Sequence, residues 1–161
     1  MKLKSKFNIQ IAADGSSASG KTTGAKLFSK KYGIKFLSSG LLYRYSSYLI
    51  IKNKPSSERI FLEKKFKKFN LSHLKNKNLH TPEISELSSK IAKKKEIRGI
   101  LKRFQKNFVR RNRKVCIEGR DIGTVIMPNA DIKFFFTCNL NTAAKRRFKD
   151  LKKKNPKIKF A

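Results

Sequence analysis

The chain has 161 residues and a formal net charge of +31 at pH 7, from 41 Lys and Arg against 10 Asp and Glu. Hydrophobic residues make up 39%, and no apolar run is long enough to cross a bilayer. This composition predicts one folded domain, and it excludes a disordered tail and a membrane-spanning protein. Residues 1–6 carry charge without the apolar stretch of a secretory signal.

The two cysteines, Cys116 and Cys138, are too few for a disulfide framework and lack metal-ligand spacing. Both lie in apolar runs, which predicts buried free thiols in a cytoplasmic protein. The basic excess raises a nucleic-acid hypothesis, because lysines and arginines neutralise phosphates. The lysines are spread along every segment, however, and no nucleic-acid-binding signature is present. We therefore expect no specific nucleic-acid partner, and a basic nucleic-acid-binding protein remains the alternative from another class.

The first half of the chain alternates strand and helix patterns. Residues Phe7–Ala13 are predicted as a strand, and a small-residue loop, Gly15–Gly20, separates them from a helix over Lys21–Lys31. A short strand over Ile34–Leu37 then leads into an apolar, buried helix over Leu41–Ile51. Residues 52–80 carry only weak helical periodicity, which leaves a mobile helical region or partly irregular structure open.

The second half continues the alternation. Thr81, Pro82 and Glu83 are typical of a helix start, since a hydroxyl caps the first turn and an acid favours the dipole. The inward-facing residues of this helix and the next are predicted to be Ile84, Leu87, Ile91, Ile97, Ile100, Leu101, Phe104 and Phe108. Strands over Val115–Glu118 and Ile132–Thr137 follow.

A final helix is predicted to be capped by Asn141, with Ala144, Phe148 and Leu151 on its inner face. The complete alternation predicts an α/β fold, with a parallel sheet that has helices on both faces.

The segment from Gly15 to Thr22 matches the P-loop pattern G-x-x-x-x-G-K-[ST] between a predicted strand and a predicted helix. Small residues let backbone N–H groups curl around phosphates, and the helix directs its positive end at the same anions. The Lys21 ammonium would bridge two phosphates, and a hydroxyl of Thr22 or Thr23 would meet Mg²⁺ or a phosphate oxygen. These residues predict a binding site for a nucleoside triphosphate.

A second group of polar residues, Glu118–Asp121, follows the predicted strand Val115–Glu118. An acid at the carboxyl end of a parallel strand lies on the ligand side of an α/β sheet. Glu118 would hold Mg²⁺ through water, Arg120 would bind a phosphate, and Asp121 would accept hydrogen bonds. A surface turn with an internal ion pair explains the same residues equally well.

Four blocks of the chain, in this order and spacing, resemble the bacterial cytidylate kinases. The blocks are Ile11–Lys21, Phe36–Arg44, Ile117–Val125 and Pro128–Asp131. The resemblance covers nearly the whole chain and implies a P-loop kinase fold with strand order 2-3-1-4 and the fifth strand missing. It implies one kinase domain, residues 1–161, with a core of residues 1–51 and 112–161 and a helical region over about residues 52–111 that binds the nucleoside monophosphate.

The resemblance also implies an enzyme that phosphorylates CMP or dCMP with ATP, with Lys21, Arg44 and Arg120 as its catalytic residues. The ATP cradle would be Gly15, Ser16, Ser17, Ala18, Ser19, Gly20, Lys21, Thr22 and Thr23. The acceptor site would be Ser39, Tyr43, Arg44, Ser89, Arg98, Arg120 and Asp121, with the last accepting from the cytosine amino group. Thr22 directly and Glu118 through water would hold Mg²⁺. We expect nucleotides as the only partners, and a monomer in the cytoplasm.

Three departures from the family pattern stand out. Ser38 occupies the position of a usual Asp, and Thr22 replaces the usual second glycine of the P-loop. The chain ends at Ala161, which predicts that a C-terminal lid and a last strand are absent. The alternatives are therefore a kinase of UMP or AMP, and an inactive fragment.

Overall fold

The computed structural model describes residues 7–152, without the side chains of Lys77, Asp150 and Leu151. The expectations about residues 1–6, Leu151 and the chain end lie outside them. The chain divides into two compact units. One, here the P-loop unit, takes the described residues up to Phe36 and from Lys114 onward; the other, the helical unit, is Leu37–Arg113. The division expected from the sequence, near residues 52 and 111, stays a prediction.

The sheet has four strands: β1 (Ile9–Gly15), β2 (Lys35–Ser38), β3 (Lys114–Gly119) and β4 (Ile132–Phe136). Their order is β2-β3-β1-β4, and β1 pairs in parallel with both β3 and β4. The predicted α/β class and strand order are confirmed. Strand β1 extends to Gly15, past its predicted end at Ala13, because Asp14 still pairs with Gly119 and Gly15 with Phe136.

Strand β1 is the centre of the core of the P-loop unit. Ile11 is fully buried and Ala13 is 1% exposed, because strands flank β1 on both sides and helix residues cover this face of the sheet. Helix α1 (Lys21–Tyr32) packs on this core through Ala25 and Phe28. Burying a side chain such as Ile11 stabilises the fold by about 2–3 kcal/mol. By contrast, the Phe135 side chain on β4 is 74% exposed.

Three features after β3 differ from the predictions. Residues Ile122–Ile126 form a π-helical turn that periodicity did not reveal. The last helix, Leu140–Lys152, is capped by Asn139 rather than Asn141, since the Thr142 N–H donates to Asn139 Oδ1 at 2.8 Å. Asn141 lies within the first turn. Ala144 is exposed, against the prediction, because nothing in the described part of the chain covers that position.

The helical unit holds four helices, numbered after α1: α2 (Ser39–Asn53), α3 (Glu58–Lys67), α4 (Pro82–Ile91) and α5 (Lys95–Arg110), so that Leu140–Lys152 is α6. Two 3₁₀ turns, Leu71–Lys75 and Lys77–His80, join α3 to α4. Thr81 caps α4 as predicted, because its hydroxyl accepts from the Ile84 N–H at 3.3 Å. The stretch 52–80, weakly periodic in sequence, is thus helical over α3 and in short turns beyond it.

An aromatic cluster holds α2, α3 and α5 together. The rings of Tyr45 and His73 stack with centroids 5.5 Å apart, and Phe69 meets Phe104 edge-on at 4.9 Å. Phe66 contacts Tyr45, Phe69 and Phe104. Such pairs are worth about 0.5–1.5 kcal/mol each beyond the area that they bury. The cluster gives the helical unit a core of its own.

We predict that Gly15→Ala destabilises the protein by about 1–3 kcal/mol, because there is no room for a methyl group. A Cβ at Gly15 would lie 2.4 Å from the backbone oxygen of Phe136. The matched control is Gly99→Ala on α5, where no heavy atom lies within 4 Å of an added Cβ. That change should leave stability unchanged or raise it by up to about 1 kcal/mol. Urea unfolding checks both, and equal midpoints for Gly15→Ala and the wild type would contradict the close packing of β1 on β4.

Candidate active site

The loop between β1 and α1 is closed by its own hydrogen bonds. The Ser19 hydroxyl donates to the Ser16 carbonyl at 3.0 Å, and Ala18 adopts a left-handed φ of 60°. Helix α1 begins at Lys21 with no side-chain hydrogen bond capping it. The N–H groups of a first helical turn lack partners within the helix, so they can bind an anion in the loop.

Lys21 lies at the start of α1 and reaches back over the loop. Its Nζ donates to the Ser16 carbonyl at 2.8 Å. Burial lowers the pKa of Lys21; the Glu118 and Asp14 carboxylates act to raise it, and the Arg120 guanidinium lowers it further. These charges act on one ammonium group, so Lys21, Glu118 and Arg120 lie in the same neighbourhood.

The pairing of β3 with β1 explains this convergence. Ala13 lies opposite Glu118, and Asp14 lies opposite Gly119. The carboxyl ends of the two strands therefore meet at one sheet edge, where ligands of α/β proteins bind. Glu118 is 3% exposed, whereas Arg120 is exposed at the surface. The edge offers one lysine, one arginine and a buried carboxylate to a phosphorylated ligand.

The predicted acceptor residues of the helical unit lie on α2, α4 and α5. Ser39 is buried at the first residue of α2, after Ser38, whose hydroxyl accepts from the Leu41 N–H at 3.3 Å. Tyr43 and Arg44 follow one turn later and are half-buried. Arg44 Nη1 donates to the Leu79 carbonyl at 3.1 Å and to Ser85 Oγ at 2.7 Å. These bonds fix the guanidinium against α4.

Ser89 and Arg98 are placed by backbone carbonyls. Ser89 Oγ donates to the Ser85 carbonyl at 3.1 Å, and Arg98 Nη1 donates to the Ala92 carbonyl at 3.3 Å. Arg44 and Ser89 therefore both bind Ser85, a residue that the sequence analysis did not select. Its position one turn before Ser89 on α4 is the signal that could have found it.

Helix α6 adds a contact to the loop that the sequence analysis also missed. Arg146 Nη1 donates to the Ala18 carbonyl at 3.3 Å, and Cys138 Sγ approaches the same oxygen at 3.8 Å. Cys138 is therefore half-buried beside the loop, and the prediction of a buried thiol is wrong there. Cys116 is buried as predicted, and burial raises the pKa of its thiol.

The residues at this edge fit a magnesium ion that is held mainly by a nucleotide. Mg²⁺ commonly takes one or two protein oxygens, with water and phosphate oxygens as its other ligands. Thr22 lies beside Lys21 in the first turn of α1, and Glu118 offers a carboxylate at the same edge. Among the side chains that the structure describes, no group of three His, Cys, Asp or Glu could hold a metal ion by itself.

None of the helices in the described part of the chain is both long and apolar enough to cross a membrane.

Comparison with known proteins adds an independent finding. The family described as "Cytidylate kinase" matches residues 11–161. Three similar proteins bear that name. The one from Thermosipho melanesiensis is 37% identical over 94% of this chain and 73% of its own length; the one from Fervidobacterium nodosum is 37% identical over 96% and 74%. The one from Rickettsia rickettsii is 38% identical over 91% and 67%. The extent of these matches shows that the chain belongs to the cytidylate kinase family.

Proposed function

We propose that this chain transfers the γ-phosphoryl group of ATP to CMP or dCMP, which gives ADP and the corresponding diphosphate. The observation that carries the proposal is the sheet edge where Lys21, Glu118 and Arg120 meet beside a P-loop. This chain belongs to the cytidylate kinase family, and its relatives are named cytidylate kinases. Both facts support cytidine nucleotides as acceptors.

The donor nucleotide lies in the loop Gly15–Thr23. The backbone N–H groups of the loop and of the first turn of α1 bind its phosphates, and the Lys21 ammonium bridges the β- and γ-phosphates. Arg146 adds a second cation near the loop, since its guanidinium already reaches Ala18. Thr22 would hold Mg²⁺ directly and Glu118 would hold it through water, and the ion would neutralise phosphate charge.

The acceptor nucleotide is bound by the residues that the family resemblance assigns to it. Arg44 and Arg120 bind its phosphate, because a guanidinium offers a planar pair of donors to phosphate oxygens. Asp121 accepts from the cytosine amino group, the donor by which cytosine differs from uracil. The remaining proposed contacts are Ser39, Tyr43, Ser89 and Arg98.

Catalysis needs no covalent intermediate with the protein. The acceptor phosphate is held in line with the γ-phosphate, so that the reaction between them becomes effectively unimolecular. Lys21 and the arginines stabilise the charge that spreads over the transferring phosphoryl group. Lys21 is half-buried, so its electrostatic stabilisation of that charge is stronger than it would be in water.

We further propose that the protein acts as a monomer in the cytoplasm and has no specific nucleic-acid partner. Both cysteines are free, as is usual in a reducing compartment. The exposed lysines are distributed over many elements, which favours weak, salt-sensitive attraction of polyanions rather than a defined interface.

Asp121→Ala should lower kcat/KM for CMP by about ten- to hundredfold, since it removes a charged acceptor from the cytosine amino group. The KM for ATP should change little, because the proposed donor site does not include Asp121. Steady-state kinetics with each nucleotide varied in turn gives both values, and calorimetry gives the affinity for CMP. Unchanged CMP binding would contradict the role of Asp121 in reading the base.

Lys21→Met should abolish phosphoryl transfer, whereas Lys30→Met, at the exposed end of the same helix, should not.

Because the pKa of Lys21 is lowered in the free protein and phosphates would raise it again, ATP should bind with proton uptake at alkaline pH. Calorimetry at about pH 9, in two buffers of different ionisation enthalpy, measures this uptake. The uptake should disappear in Lys21→Met and persist in Lys30→Met. A binding enthalpy independent of the buffer in the wild type would contradict the contact of Lys21 with the phosphates.

A further inference from the structure

Asp14 makes a contact that neither the P-loop pattern nor the proposed mechanism uses. It is the last residue before Gly15 and is 8% exposed. One oxygen of its carboxylate accepts from the Ile122 N–H at 2.8 Å, and the other accepts from the Gly123 N–H at 2.7 Å. Hydrogen bonds to an ionised carboxylate are among the stronger ones in proteins. Each oxygen of the Asp14 carboxylate therefore already has a backbone partner.

These bonds fix a short segment between two anchored points. Gly119 is anchored by the pairing of β3 with β1, where it lies opposite Asp14 itself. The chain is anchored again three residues later, at Ile122, by the Asp14 carboxylate. Only Arg120 and Asp121 lie between the two anchors. Both are residues that the proposed function assigns to the acceptor nucleotide.

The local geometry is built around this carboxylate. Asp121, at the start of the π-helical turn Ile122–Ile126, makes no side-chain capping bond, so Asp14 supplies the cap from β1. A Cβ at Gly123 would lie 3.2 Å from Asp14 Oδ2 and 3.3 Å from the Lys133 side chain. The glycine thus leaves room for the carboxylate to reach the backbone.

We propose that Asp14 is a positioning residue, which holds Arg120 and Asp121 in place for the acceptor nucleotide without touching either nucleotide. This inference rests on the proposed function. It assigns the aspartate that precedes the P-loop to acceptor binding rather than to ATP, although its neighbours in sequence bind the donor. A single side chain at the end of β1 then links the geometry of the two nucleotide sites.

The test is Asp14→Asn, which keeps the shape of the side chain and replaces one accepting oxygen with a nitrogen. We expect the KM for CMP to rise by about tenfold or more, because one N–H loses its partner and the segment loosens. The KM for ATP should stay within about threefold of the wild-type value, since the backbone of the P-loop is retained and the Asp14 charge acts on Lys21 more weakly than those of Glu118 and Arg120. Hydrogen exchange of the Ile122 and Gly123 amides should become faster.

Asp131→Asn is the matched control. Asp131 also accepts an N–H of β1, from Gln10 at 2.7 Å, but at the opposite end of the strand. Asp131→Asn should leave the KM for CMP and the hydrogen exchange of the Ile122 and Gly123 amides unchanged. An equal rise in the KM for CMP and the KM for ATP in Asp14→Asn, or an unchanged KM for CMP, would overturn the positioning role. Recovery of Asp14→Asn activity by high Mg²⁺ would also overturn it, in favour of a metal ligand.

Failure of the proposed function would look different. The wild-type protein would then phosphorylate UMP or AMP in preference to CMP, or would bind none of them in calorimetry. The amide exchange of Ile122 and Gly123 still reports on the Asp14 anchor in that case. If exchange does not change in Asp14→Asn, the anchor itself is refuted, whatever the acceptor.

Discussion

The side-by-side ending of β1 and β3 is the constraint on which the rest of the P-loop unit depends. Parallel pairing places the carboxyl ends of both strands at one edge, with Asp14 opposite Gly119. The P-loop follows β1 at that edge, and Arg120 and Asp121 follow β3 there. Residues more than a hundred positions apart in sequence thus act on the same ammonium group of Lys21.

Charge has two different roles in this molecule. The net charge of +31 comes mostly from lysines on exposed faces, where water and salt screen each charge. Four of the ten acidic residues show two contrasting settings. Glu58 and Glu63 bind Lys94 and Arg103 within the helical unit, in pairs worth at most about 1 kcal/mol each. Asp14 and Glu118 are buried beside the P-loop, where a carboxylate changes the behaviour of its neighbours far more.

Local patterns predicted much of the fold. The P-loop motif located the turn between β1 and α1, and Thr81 with Pro82 located the start of α4, because both depend on neighbouring residues alone. The order of the strands came from the family resemblance. The π-helical turn Ile122–Ile126 could not be predicted, since the partner that caps it, Asp14, is distant in sequence.

Some residues of the candidate site could be predicted from the sequence, and others could not. Lys21, Glu118 and Arg120 follow from motif and strand-end arguments, and the structure brings them together. Ser85 and Arg146 were missed because a lone serine or arginine in a helix carries no pattern that sets it apart. The sequence predicted Asn141 as the cap of α6, whereas Asn139 caps it. Both are good capping residues, and only the backbone of the helix distinguishes them.

The measurement that tests the account most directly is a comparison of acceptors with ATP as donor. Initial rates of ADP formation would be recorded with CMP, dCMP, UMP and AMP, each over a range of concentrations. We expect kcat/KM for CMP or dCMP to exceed the value for UMP by about a hundredfold or more, because Asp121 pairs with an amino group that uracil lacks, and also to exceed the value for AMP. Equal use of UMP or AMP, or ADP formation that does not depend on the acceptor, would contradict it.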